Sequence, residues 1–170
     1  MAPLLLCGTS AFTQPLDKEP AAILEFGGAA GRSLSNAGSS GGADIALEFT
    51  PIEKWLELEM GTTPLFGRRS IECDTDLLFK KPWTLSEKLE VMVGIGPEWV
   101  WIRQSGVTTN SVAGAFVLDF MFWPSATRRF GWFIEPGYEY NFGRAHEQSI
   151  GISAGLLIAI PKWRKEPRSH

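Results

Sequence analysis

From residue 21 to residue 160, apolar side chains return at every second position through eight successive segments, and no stretch carries the three-to-four-residue spacing of an amphipathic helix. A period of two is the pitch of a pleated strand, so each segment has one apolar and one polar face. The segments read as 21–32, 43–50, 55–63, 70–80, 89–102, 112–123, 132–142 and 149–160. In the third, Leu56, Leu58 and Met60 stand against Glu57 and Glu59. In the fourth, Ile71, Cys73, Thr75, Leu77 and Phe79 stand against Glu72, Asp74 and Asp76. At 170 residues the chain fits one domain. The pattern predicts an all-β, eight-stranded antiparallel up-and-down barrel with both termini on one side.

No uninterrupted apolar run approaches the ~18 residues that a transmembrane helix needs, which leaves a membrane barrel open because its strands carry a weaker signal. Alternation also describes a soluble lipocalin-like carrier, in which the apolar face points inward. Three features favour a transmembrane barrel. The apolar face is nearly continuous in Leu, Ile, Val and Phe. Trp55, Trp83, Trp123, Trp132 and Trp163 fall at the strand ends nearest the turns after even-numbered segments, while Trp99 and Trp101 lie with Tyr138, Tyr140 and Phe142 at the opposite ends. Two aromatic girdles are what a barrel needs at the two faces of a bilayer. Thirteen of the 19 acidic residues lie inside the segments on the less apolar face, and only Arg32 and Lys80, at segment ends, bring positive charge. A lipid-facing charge costs about 2–4 kcal/mol near the midplane, so this split is the one a bilayer imposes.

On these features the chain from 21 to 161 resembles the OmpA/OmpX-like family of small bacterial outer-membrane barrels. The resemblance implies a monomer in the outer membrane of a Gram-negative bacterium, with a structural, adhesive or narrow porin-like role and no cofactor. Its partners would be membrane lipids, lipopolysaccharide among them. One departure is the end of the last strand at Ile160-Pro161, followed by a basic tail over 162–170, where such barrels often close on a C-terminal aromatic. Residues 1–20 hold Pro3-Leu4-Leu5-Leu6-Cys7 and then Thr9-Ser10-Ala11, which reads either as the tail of a secretory signal or as a mobile N-terminus. A net charge of −3 without a basic helix argues against nucleic acid. Cys7 and Cys73 make no C-x-x-C or Cys/His metal spacing.

The acids are the strongest local feature. If the turn between the third and fourth segments centres between Leu65 and Phe66, Glu59 faces Glu72 and Glu57 faces Asp74, with Asp76 close by. Like charges in register repel, so something cationic must compensate. The expected partners are the arginines of the turns after odd-numbered segments, Arg32, Arg68, Arg69, Arg103 and Arg144, which are long enough to dip into the mouth and pair with carboxylates. A Ca²⁺ ion held by Glu59, Glu72 and Asp74 is the sharper alternative. The same arginines suit lipopolysaccharide phosphates. For catalysis the one constellation is His146, Glu147 and Ser149, which resembles the Ser/His/Glu set of barrel lipid A acyl-hydrolases; its spacing differs, and His146 and Ser149 point to opposite faces of an extended strand.

Overall fold

The computed structural model of the protein describes residues 20–35, 38–125, 127–143 and 146–162. Eight strands run in order: β1 Ala22–Ser33, β2 Ser39–Ile52, β3 Leu56–Gly67, β4 Ser70–Ser86, β5 Leu89–Gln104, β6 Val107–Phe122, β7 Phe130–Asn141 and β8 Gln148–Ile160. Each pairs antiparallel with the next, and β1 pairs with β8 from Ala22↔Ile160 to Ser33↔Ser149, which closes the barrel and removes its edges. The leader-like segment with Cys7, Arg144, and the basic tail from Trp163 onward lie outside the described residues.

The strands run longer than the alternation alone marks, and their turns are correspondingly tight. At the β5–β6 hairpin, Ser105 and Gly106 take φ of 52° and 82°. Two consecutive left-handed residues make the turn whose twist matches that of the paired strands, and glycine occupies the second at no steric cost.

Side chains split by parity. Phe26, Met60, Leu77, Ile95, Phe116 and Leu156 point outward and are exposed, while Glu25, Glu48, Glu59, Asp74, Glu98 and Asp119 point inward and are buried. Trp55, Trp83 and Trp132 lie on the outer face toward the end that carries the termini, and Trp132 stacks on Phe122 with centroids 4.5 Å apart. Trp99, Tyr138 and Phe142 are exposed toward the other end, and Trp101 and Tyr140 are half-buried there. Trp123 departs from the expected girdle. It shares inward parity with Ala113, Ala115, Val117, Asp119 and Met121, and one step along a strand reverses the face, so its ring is buried inside.

Not everything inside is polar. Ile23, Met92, Met121, Trp123, Phe133 and Leu157 pack as one buried cluster across the end nearest the termini. Arg128 closes over it, bonded to Glu90 at 2.9 Å with its guanidinium 5.9 Å from the Trp123 ring centre. Arg128 thus belongs to the interior plug at this end. An eight-stranded barrel is just wide enough for side chains to fill it, and this layer fills the lumen at the end nearest the termini.

Candidate functional site

The register of β3 and β4 decides where the acids go. Their turn centres on Arg68-Arg69, and Pro64 lies within β3 opposite Cys73 instead of opening the turn. Leu65↔Glu72, Thr63↔Asp74, Gly61↔Asp76, Glu59↔Leu78 and Glu57↔Lys80 are the partners. The expected Glu59–Glu72 and Glu57–Asp74 confrontations therefore do not occur. Direct acid-on-acid register appears elsewhere, at Glu48↔Glu59 between β2 and β3 and at Asp76↔Glu98 between β4 and β5.

The five acids consequently divide by height. Glu72, Asp74 and Asp76 line a cavity of about 920 Å³ that opens at the end opposite the termini, together with Asp44, Glu98, Glu135, Glu139 and Glu147. Asp44 accepts a hydrogen bond from Thr63 Oγ1 at 2.9 Å, and Asp76 accepts one from the Gly61 amide at 3.1 Å. Glu59 lies at the floor of this cup, and Glu57 is buried farther toward the Trp123 end.

Below the cup sits the cation that the acids require, and it is Lys80. Its side chain is fully buried, and Nζ contacts Glu59, Asp119 Oδ2 at 3.1 Å and Glu135 Oε2 at 2.6 Å. By alternation alone Lys80 stands at a strand end. In fact β4 continues to Ser86, and Lys80 falls on the inward parity of Glu72, Asp74, Asp76 and Leu78. Gly94 faces it across the sheet, and a Cβ there would come within 2.9 Å of Lys80 Cγ and 2.7 Å of Val117 Cγ2. Glycine is what lets the lysine stem cross the lumen.

The expected arginine plug is not what forms. Among the described residues, Arg32, Arg68 and Arg69 line the mouth of the cup, as expected, but they and Arg103 stay exposed and make no ion pair with the acids below. Arg144 lies outside the described residues. Nor does the proposed Ca²⁺ set converge: of Glu59, Glu72 and Asp74, only Glu59 joins a compact carboxylate group, and its companions are Glu25, Glu48 and Asp119. All four are at most 3% exposed, and their ligand atoms lie within 4.8 Å of one another. Alternation flags each of these acids as inward; only the strand-to-strand register brings them to one level.

The three catalytic candidates each engage a different partner. Tyr140 OH and His146 Nδ1 are 2.8 Å apart, Ser33 Oγ donates to Glu147 at 2.7 Å, and Ser149 Oγ donates to Glu139 at 2.7 Å. His146 is exposed on a turn with φ of 59°, whereas Ser149 faces the cup. Ser149 thus meets the Glu139 carboxylate and neither His146 nor Glu147, so the three candidates do not come together as one set.

With closure, strand number and an inside-out distribution of polarity established, comparison with known folds becomes informative. No protein family matches the sequence, and no curated protein matches it. Solved structures do match. Neisserial surface protein A is similar at a TM-score of 0.65 and 11% identity, over 82% of this chain and 97% of that one. The N-terminal barrel domain of Pseudomonas aeruginosa OprF follows at 0.58 and 14%, over 83% and 100%. Ail, the attachment invasion locus protein of Yersinia pestis, matches at 0.55 and 13%, over 83% and 99%. The fold is that of the small eight-stranded outer-membrane barrels. Identities this low carry the architecture alone, and the acids around Lys80 have to be interpreted from their own geometry.

Proposed function

We propose that the protein spans the outer membrane of a Gram-negative bacterium as a closed monomeric scaffold, with a structural or adhesive role carried by the end that holds the cup. The supporting observation is the outer surface: Phe26, Met60, Ile95 and Leu156 are each at least 55% exposed, in a belt that continues around every strand between two aromatic zones. Soluble monomers rarely expose contiguous apolar surface of that extent, and a bilayer removes it from water. A narrow porin-like role is the weaker reading, because the Lys80 layer and the Trp123 cluster fill the lumen below the cup. Incorporation into planar bilayers tests this: a sealed barrel gives no steady conductance, and stepwise cation-selective currents would restore the porin reading.

The partners proposed are the surrounding lipids, with lipopolysaccharide phosphates meeting the exposed, unpaired Arg68 and Arg69 of the β3–β4 turn. Arg presents a planar fork suited to phosphate oxygens. Replacing both with Ala should weaken lipopolysaccharide binding in low salt and flatten its salt dependence. Unchanged binding would remove this contact.

A further inference from the structure

We infer that the carboxylates of Glu25, Glu48, Glu59 and Asp119 form an internal binding site for a hard divalent cation of the size of Ca²⁺, beside Lys80. Charge supplies the first argument. Five carboxylates, these four and Glu135, surround a single ammonium. Lys80 contacts three of them and leaves Glu25 and Glu48 aside. Glu48 is 1% exposed, and both of its oxygens are buried without a hydrogen-bond partner; Glu25 Oε1 and Asp119 Oδ1 are in the same state. Buried carboxylate oxygens almost always find a donor or a cation. Glu48 is inward by strand parity and aimed into the group, with Glu59 directly opposite it in the β2–β3 register.

Coordination supplies the second argument. Ca²⁺ binds six to eight oxygens at about 2.3–2.6 Å, so ligands across the ion stand about 4.6–5.2 Å apart, whereas Mg²⁺ at about 2.0–2.1 Å needs about 4.0–4.2 Å and near-ideal octahedral order. The four ligand atoms all lie within 4.8 Å of one another, a separation that admits either ion. The four carboxylates, however, offer up to eight oxygens, two of them also on Lys80, and so many oxygens suit the flexible shell of Ca²⁺ better than the strict octahedron of Mg²⁺. Entry is from the cup, whose lining reaches Glu59 and Glu135. The ion is shared on one side with carboxylates that also hold Lys80, so the ammonium and the metal together neutralise the layer.

The experiment is equilibrium dialysis of Ca²⁺ and Mg²⁺ against the full chain, refolded free of lipopolysaccharide in detergent and stripped with EDTA, with folding checked by the mobility of unboiled samples. One saturable Ca²⁺ per barrel is expected, with Mg²⁺ at least about tenfold weaker. Glu48→Gln should lower the Ca²⁺ affinity at least about tenfold, and Asp74→Asn in the cup should leave it within twofold. Should Glu48→Gln not fold, Glu25→Gln carries the same expectation, and the wild-type stoichiometry and Ca²⁺/Mg²⁺ ratio stand independently. Absence of saturable binding, equal affinity for the two ions, unchanged affinity in folded Glu48→Gln, or loss of the site in Asp74→Asn each overturns the inference.

Discussion

Lys80→Met is the substitution that most directly probes how the interior is held. Methionine nearly preserves the length and apolar stem beside Gly94 and removes only the ammonium that touches Glu59, Asp119 and Glu135. Removing one member of a buried ion pair costs about 3–5 kcal/mol, because it strands the opposite charge. Three carboxylates share this one ammonium, so the losses overlap and the total stays near that range instead of tripling. In urea, with a slope near 2 kcal/mol per M, the unfolding midpoint should fall by roughly 2 M. The assay is reversible unfolding in micelles containing EDTA, followed by tryptophan fluorescence. A second substitution fixes the cause: Glu59→Gln should destabilise the wild type but stabilise the Lys80→Met variant, where it deletes a stranded charge. A Lys80→Met protein within about 0.5 kcal/mol of wild type, the range of an ordinary surface change, would refute the claim that Lys80 is the buried counter-ion.

Other substitutions address separate parts of the account. Ile95→Arg, on the outer face, should cost about 2–4 kcal/mol in bilayers at the midplane; a change under about 0.5 kcal/mol would indicate an outer face in water. Gly96→Ala would put a Cβ onto the backbone carbonyl of Leu77, and a loss of about 1–3 kcal/mol is expected from overpacking, measured by the same unfolding assay. His146→Ala removes an exposed contact to Tyr140 and should leave host lipid A acylation unchanged by mass spectrometry; an altered acyl pattern would reopen the hydrolase reading.

The fold was legible because a membrane barrel writes its two faces into alternate residues, and that signal survives without any single motif. What alternation hides is register and depth. Pro64 reads as a turn-opener yet sits in β3, which moves the turn to Arg68-Arg69 and rearranges every acid pair between β3 and β4. Lys80 followed by Lys81 and Pro82 reads as a rim, although its even-numbered parity with Glu72, Asp74 and Asp76 already places it inside if the strand is extended. Met92, Val100, Met121, Phe133 and Leu157 break the polar face because a narrow lumen needs bulk as well as charge compensation. Convergence of Glu25, Glu48, Glu59 and Asp119 from four strands depends on register around the closed sheet, which no local pattern encodes.

The central claim, that the apolar face is turned to lipid, is tested most directly by nitroxide spin labels at residues 58, 77 and 95, one per variant of the chain reconstituted in bilayers. Leu58, Leu77 and Ile95 share the outward parity of β3, β4 and β5. Collision with lipid-soluble oxygen should dominate over collision with a water-soluble nickel complex at all three. Nickel access that matches or exceeds oxygen access at these positions would place the apolar face away from lipid and contradict the account.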